Sequence, residues 1–166
     1  NIYALNNVSL KAHNNASIDK KIKARNITLQ AKNILVKENA AIASQNKTNV
    51  IAEQTVINKG TIDGKQTTVQ GANVILKDGS KVLAQGDSAA TVIYAKELLD
   101  VREGADVHSE GKTQLHSDEH AIIDGSITGS KTSVKGNTLD IQENAHISSE
   151  SQTMVVATEK LTNKGT

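Results

Sequence analysis

A nine-residue phrase that occurs four times constrains the fold of this chain more than any other feature. The copies read VKENAAIAS from Val36, LKDGSKVLA from Leu76, VREGADVHS from Val101 and IQENAHISS from Ile141. They begin 40, 25 and 40 residues apart. Because 40 residues make two coils of about 20, and 25 make one coil with a small insertion, the spacing indicates a solenoid with a single period.

A second phrase lies between these copies and follows the same period. It reads VINKGTIDGKQTTVQG from Val56, AIIDGSITGSKTSVKG from Ala121 and LTNKGT from Leu161, at intervals of 65 and 40 residues. Aliphatic and polar residues alternate in segments such as 26–30 and 138–142, which is typical of half-buried strands. We therefore predict an all-β fold, a right-handed parallel β-helix of about eight coils with roughly 20 residues each.

The chain is predicted to be one β-helix segment over residues 1–166. Its coil boundaries are expected near residues 33, 54, 73, 97, 119, 138 and 159, and residues 1–32 fit the repeat less regularly. The chain begins at Asn1 without Met and ends at a repeat corner without a polar cap. Since solenoids need such caps, we expect an internal excerpt of a longer protein.

Two columns of the aligned repeats contain only aliphatic residues, and we predict that both point into the core. The first column is Val36, Leu76, Val101 and Ile141, and the second is Ile42, Val82, Val107 and Ile147. A column of small residues lies between them: Ala40, Ser80, Ala105 and Ala145. The core is therefore expected to be thin, layered and built from aliphatic ladders.

Two further columns mark the corners of the coils. The first contains Asn39, Gly79, Gly104 and Asn144, and the second contains Gly60, Gly125 and Gly165. Because Asn and Gly share a tolerance of left-handed backbone, the first column predicts a recurrent left-handed bend. The second column is predicted to be a matching corner, after which a new strand begins.

Composition excludes several functional classes. With 19 basic and 18 acidic residues and a net charge of +1, the chain lacks the basic field that nucleic-acid binding needs. It contains no Cys, Phe, Trp or Pro, and only 1% of its residues are aromatic. A β-helix glycosidase or lyase would need clustered carboxylates and aromatic platforms for sugar rings. We therefore expect no enzyme and no cofactor. A β-helix glycosidase or lyase is kept only as a remote alternative.

Several corner phrases resemble the repeats of filamentous haemagglutinin. They are NKGTI at 58–62, NKGT at 163–166 and NITLQAKNILV from Asn26, and the resemblance covers nearly the whole chain. It implies a large bacterial adhesin or contact-dependent inhibition protein, exported by two-partner secretion and located outside the cell or on its surface. It also implies an outer-membrane secretion partner, bound by an amino-terminal domain absent here, and a receptor on a host or neighbouring cell, contacted by other parts of the protein.

The function expected from this resemblance is that of a structural shaft, which projects adhesive or toxic regions away from the cell. The alternative is that the segment itself is a receptor-binding module. In that case the binding surface is expected on the flat flanks or on an inserted loop at 87–96, which contains Tyr94, one of only two aromatic residues.

The motif HSDEH at 116–120 is the strongest candidate for metal chemistry. It matches the H-x-x-E-H pattern of one zinc peptidase class, in which two His ligands and a Glu share a helix face. The internal repeats place His116, Glu119 and His120 across a turn between strands, which favours a solvated corner. We therefore predict no metal site, with His116 and His120 as candidates only for adventitious binding of Zn or Ni.

Two other patterns suggest weaker chemistry. An acidic column formed by Glu38, Asp78, Glu103 and Glu143 precedes the bend. A solvated edge explains it better than a calcium site, which needs about six convergent oxygens. Four N-x-S/T sequons, at Asn7, Asn15, Asn26 and Asn46, would allow glycosylation if they face outward on an exported protein.

Overall fold

Parallel strand pairing stacks the repeats directly on one another. A computed structural model describes all residues, 1–166, and forms a β-solenoid of about eight turns with no helix. Every strand pair is parallel, and most coils are 20 residues apart, as in the pairing of Ile22 with Ile42 and of Ile42 with Ile62. The predicted parallel β-helix is therefore confirmed. No helix is present that could cross a membrane.

Thirteen strands make up the solenoid. They are β1 (Ile2–Tyr3), β2 (Asn7–Lys11), β3 (Asn15–Ile18), β4 (Lys21–Val36), β5 (Ala41–Asn58), β6 (Thr61–Gly64), β7 (Gln66–Leu76), β8 (Lys81–Ala84), β9 (Ala90–Val101), β10 (Asp106–Ser117), β11 (His120–Ile123), β12 (Ser126–Ile141) and β13 (His146–Asn163). The long strands turn corners of the coil without interruption, so one strand often contributes to two or three sides.

Each coil has three sides, which we call faces 1, 2 and 3. In the coil that follows Ala40, face 1 is residues 41–44, face 2 is residues 47–52 and face 3 is residues 55–58. Buried residues alternate with exposed or half-buried ones along the faces of the inner coils, as the period of a half-buried strand requires. The predicted coil boundaries fall at the first residue of each face 3 segment or one residue before it.

The aliphatic columns are continuous ladders along the axis. On face 1, Ile42, Ile62, Val82, Val107 and Ile127 are fully buried and stacked in register, and Ile147 in the last coil is half-buried. On face 3 the corresponding ladder is Val36, Asn58, Leu76, Val101, Ile123 and Ile141, all buried. The core is therefore a stack of thin aliphatic layers.

The first 32 residues diverge in sequence but form the same coil. Ile2 stacks on Ile22, Leu10 on Leu29, and Ile18 on Val36. Because pairing to β4 fixes the backbone, the divergent side chains of this stretch leave the register unchanged.

The corner between faces 3 and 1 exists in two lengths. The long corners, 37–39, 77–79, 102–104 and 142–144, are β-turns closed by a backbone hydrogen bond, such as Ala40 N–H to the Lys37 carbonyl at 3.1 Å. The short corners have one residue: Asp19, Lys59, Asp124 and Lys164. Long and short corners alternate along the axis except where 77–79 and 102–104 are stacked together. The alternation explains the 40-residue spacing of the repeat phrases.

The left-handed bend occurs in three of the four long corners. Asn39, Gly79 and Gly104 have φ values of 63°, 72° and 75°. Asn144 occupies the equivalent turn without a positive φ, so the left-handed prediction is wrong there. The physical difference is that the backbone N–H of Asn144 donates to the carboxylate of Asp124 in the preceding coil, at 3.2 Å.

The second Gly column has a different physical basis from the first. Gly60 and Gly125 have no positive φ, and they fall in the same ladder position as Ala40 and Ala105. A Cβ at Gly60 would lie 2.4 Å from the carbonyl oxygen of Ala40 and 2.5 Å from that of Lys37. At Gly60 and Gly125 the short corner therefore needs Gly, because its backbone lies against the preceding long corner.

The 25-residue coil contains a five-residue loop at 85–89, between faces 1 and 2, where the preceding coil has only Lys65. Gly86 and Ser88 have positive φ values of 95° and 61° in this loop. The predicted inserted loop at 87–96 is wrong in extent, because Tyr94 lies on β9, a continuous strand. From Ala90 onward that strand pairs with residues 66–71 on one side and 112–117 on the other, so the loop ends before Ala90 and adds four residues relative to the preceding coil.

Candidate functional site

The two histidines of the HSDEH motif lie on different faces and have different partners. His116 is on face 2, and its Nε2 lies 2.9 Å from Oδ1 of Asp118. His120 is on face 3, and its Nε2 lies 2.9 Å from Oδ2 of Asp140. The motif turns a corner instead of following a helix, and no group of three or more His, Cys, Asp or Glu is placed to hold a metal ion.

These two pairs change the electrostatics of the carboxylates. The hydrogen bond from Tyr94, followed by that from His116, lowers the pKa of Asp118 below its usual value. The His120 hydrogen bond likewise lowers the pKa of Asp140. Because both pKa values are lowered, both carboxylates are charged at neutral pH.

A three-residue cluster of Tyr94, His116 and Asp118 stands out on face 2. The Tyr94 phenol donates a hydrogen bond to Asp118, which raises the pKa of the phenol. The rings of Tyr94 and His116 are stacked, with centroids 5.7 Å apart and planes 13° from parallel. Asp118 therefore contacts both side chains, and the Tyr94 ring packs on the His116 ring.

A groove of about 550 Å³ runs along the junction of faces 2 and 3 and ends at Tyr94. One side of the groove is a single outward column of stacked residues: Lys11, Gln30, Ile51, Gln70 and Tyr94. Its floor is formed by small residues at the corner: Ala12, Ala31, Ala52, Gly71 and Ala72. Glu53 and Lys96 complete the lining. This groove is a candidate binding site outside the corners.

A buried threonine ladder is the feature that the sequence analysis missed. Thr48, Thr67, Thr91, Thr113 and Thr132 are stacked inside the solenoid at the start of face 2. Each hydroxyl donates to a face 1 carbonyl of the following coil, as Thr67 does to Leu83 at 2.6 Å. The signal was present in the sequence as a recurring Thr-x-aliphatic pattern: KTNV, QTTV, ATVI, KTQL and KTSV.

Asn58 of the NKG corner is also buried, and its side-chain amide is hydrogen-bonded. Asn58 replaces an aliphatic residue in the face 3 ladder, accepts a hydrogen bond from Gly60 N–H and donates to the Lys81 carbonyl, both at 3.1 Å. Asn163 makes the equivalent bond to Gly165. The side chain thus fastens the short corner to the next coil.

The remaining candidate residues lie apart from the groove. The acidic column of Glu38, Asp78, Glu103 and Glu143 is solvent-exposed in the long corners. Of the sequon residues, Asn7 and Asn26 are joined by a side-chain hydrogen bond of 2.9 Å, and Asn15 accepts one from Asn33 at 3.0 Å. The structure therefore uses three of these four Asn side chains in outer ladders.

Asp63 is the one carboxyl group whose pKa burial raises. It lies on face 1, and its Oδ1 is buried without a hydrogen-bond partner. It is placed away from the groove, so it does not contribute to the candidate site.

Comparison with protein-family models, curated proteins and solved structures found no match for this chain.

Proposed function

We propose that this chain is a non-catalytic shaft segment of a bacterial filamentous adhesin of the haemagglutinin type, secreted or held at the cell surface. In this role the coils project an adhesive or toxic region of the full protein. A receptor on a host or neighbouring cell is contacted mainly through other parts of the protein. Export depends on an outer-membrane partner and an amino-terminal secretion domain.

The observation that best supports a shaft is the continuity of the ladders along the axis. The face 1 ladder is unbroken from Ile2 to Ile147, and the inserted loop at 85–89 does not disturb it. Backbone hydrogen bonds between coils run along the axis, and 91 of them lie within the strands. Each coil adds about 4.8 Å, so length is set by the number of coils.

The long and short corners also give the shaft a modular unit of two coils. Residues 107–146 are two complete coils, and their removal joins Asp106 to Ile147, which repeats the native step from Asp106 to Val107. The residues that line the groove remain, but His116 and Asp118, which contact Tyr94, are removed. We expect the shortened chain to stay folded and to lose about 10 Å in length, measured by small-angle X-ray scattering.

The matching test in the full exported protein is to insert four extra copies of residues 107–146. The filament should lengthen by about 40 Å in electron micrographs, with the activity of its distal region retained. If the inserted protein is folded and exported but does not lengthen, or if it lengthens and loses the activity of its distal region, the shaft proposal is wrong.

Receptor binding by this segment is the second candidate function. The observation that favours it is the groove that ends at the ring of Tyr94.

A further inference from the structure

Face 3 carries most of the large aliphatic side chains that point away from the core. Over five successive coils its strand segments read NILV (33–36), TVIN (55–58), NVIL (73–76), LLDV (98–101) and HAII (120–123). The second and fourth residues of each segment are buried, and the first and third point outward. Five of these ten outward residues form what we call the aliphatic stripe: Leu35, Ile57, Ile75, Leu98 and Ile122.

The other two faces have no such stripe. In the same five coils, face 1 has one outward Val, Leu or Ile residue, Leu83, and face 2 has two, Ile51 and Val92, which do not pair with each other. Parallel strands that are apolar on both sides are typical of sheets covered on both faces. Face 3 is therefore the side of the solenoid best suited to burial against another molecule.

The aliphatic stripe is continuous along the axis. Leu35, Ile57 and Ile75 are stacked in one outward column. Leu98 and Ile122 continue the stripe in the next two coils, in neighbouring columns. Four steps of about 4.8 Å give a length of about 19 Å. All five side chains are only half-buried, and a contiguous apolar surface of this kind marks a site of protein–protein contact.

The two edges of face 3 differ in charge. At the edge with face 2, Glu53 and Glu97 lie just before two of the strand segments, together with Lys32 and Lys96. Neither Glu residue forms an ion pair within the chain. At the edge with face 1, the residue that follows the strand segment is basic in four successive coils: Lys37, Lys59, Lys77 and Arg102.

These charges favour a second copy of the chain, in one orientation. If two copies place face 3 on face 3 with antiparallel axes, the basic edges lie over each other, and like charges oppose association. If the axes are parallel, each basic edge lies over the other edge of the second copy. Lys59 and Arg102 then face Glu53 and Glu97 at the same level of the stack. Packed sheets are about 10 Å apart, a gap that two long side chains span together.

Two opposed pairs in the parallel arrangement have like charges, and three of their four residues are near a charged or polar partner already. Lys37 faces Lys32, but the Lys37 ammonium is bound to Asp19 at 3.0 Å. Asp124 faces Glu119, and the Asp124 carboxylate accepts a hydrogen bond from the Asn144 N–H at 3.2 Å. The antiparallel arrangement has no opposite pair along the basic edge, so the parallel one is favoured.

The area of face 3 suits a reversible pair. Four strand residues with one corner residue on each side are about 17 Å wide, and seven steps between eight coils are about 34 Å long. Two copies would then bury roughly 1,200 Å², the lower end of the range for specific interfaces.

We propose that two copies of this segment associate side by side through face 3, with their axes parallel. The proposal does not depend on the shaft function, since the stripe and the core occupy opposite sides of the same strands. In a shaft, parallel axes would direct both filaments away from the same surface.

The test is sedimentation equilibrium of the full chain from about 5 to 500 µM. We expect a monomer–dimer equilibrium with a dissociation constant at or below about 100 µM. Ile57→Thr combined with Ile75→Thr should weaken the dimer at least about tenfold. The matched control is Leu83→Thr on face 1, which should change the constant by less than about twofold. Thr suits an outward strand position, so the melting temperature of each variant should stay close to that of the parent.

Charge reversal tests the orientation. Lys59→Glu and Glu53→Lys should each weaken the dimer by about twofold to fivefold, and the two together should restore it. The proposal is overturned if the chain stays monomeric at about 500 µM, or if Leu83→Thr weakens the dimer as much as the face 3 variant does. Oligomers that the face 3 variant leaves unchanged, as end-to-end stacking would, also overturn it. A stronger dimer with Lys59→Glu alone would overturn the parallel orientation.

Discussion

The long and short corners between faces 3 and 1 use the same residue type for two different reasons. In the long corner, Gly79 has a φ of 72°, and no atom lies within 4 Å of the position that a Cβ would take, so its role is conformational. In the short corner, Gly125 has no positive φ, but a Cβ there would lie 2.5 Å from the Ala105 carbonyl oxygen. The first Gly allows a backbone conformation, and the second allows two coils to approach.

A recurring Gly in a solenoid therefore does not by itself define the kind of corner. Asn is accepted at position 39 because it tolerates a left-handed backbone. Nothing larger than Gly fits beneath the carbonyls at Gly60 without movement of the backbone. The two corners should therefore respond differently to the same substitution.

The largest effect is expected for Gly125→Ala. The new methyl group would overlap the carbonyl oxygens of Ala105 and Arg102, which belong to the backbone of the preceding corner. We expect a loss of about 3 kcal/mol of unfolding free energy, measured by chemical denaturation. The control is Ala145→Gly in the same ladder column, which should cost at most about 1 kcal/mol. Equal costs for the two variants would contradict the close-approach explanation.

Gly104→Ala should have the next largest effect because it combines strain in a left-handed backbone with a steric overlap. Its φ is 75°, and a Cβ there would overlap the Asp78 carboxylate, which is a movable side chain. We expect a loss of about 2 kcal/mol. In the background of Asp78→Ala the same change should cost only about 1 kcal/mol. A double-mutant cycle that shows no coupling would rule out the overlap with Asp78.

Gly79→Ala isolates the conformational cost, because its Cβ position is empty. We expect about 1 kcal/mol from the left-handed backbone alone. Gly79→Asn should cost less than about 0.5 kcal/mol, since Asn39 occupies the equivalent position with a φ of 63°. If Ala and Asn have the same melting temperature at this position, the left-handed bend is not what selects Gly.

The smallest effect separates the two Asn residues of the long corners. Asn39→Gly should change the unfolding free energy by no more than about 0.5 kcal/mol. Gly adopts the left-handed backbone without strain, and this gain offsets the extra conformational entropy that Gly gives the unfolded chain. Asn144→Gly should be destabilising by about 0.5–1 kcal/mol, because no left-handed conformation is relieved there. If the melting temperatures of both variants shift in the same direction by the same amount, the assignment of a left-handed backbone to Asn39 and not to Asn144 is contradicted.

The sequence was sufficient to predict the solenoid, because its internal repeats are offset by whole coils. Alignment of those repeats brought together Val36 with Leu76 and Ile42 with Val82, which the structure stacks two coils apart in the same ladders. The aliphatic alternation that marked these columns reports burial directly, since side chains of a strand alternate between its two faces.

The details of the corners and of the groove could not be predicted in the same way. Asn39 has a left-handed φ and Asn144 does not, and the backbone N–H of Asn144 bonds to Asp124, which lies one coil away and is distant in sequence. The threonine ladder was overlooked because a buried hydroxyl looks polar in sequence, although each one is satisfied by a carbonyl of the following coil. The cluster of Tyr94, His116 and Asp118 depends on the register of the coil that contains the insertion.

Disulfide trapping tests the register of this coil most directly. The structure pairs Thr68 with Val92, both facing outward, whereas a strict period of about 20 residues would place Ser88 opposite Thr68. The chain has no Cys, so a pair introduced at 68 and 92 is the only one that forms. Paired parallel strands about 4.8 Å apart are within disulfide range. The 68–92 pair should be trapped on mild oxidation and the 68–88 pair should not, and the opposite result would contradict the structure.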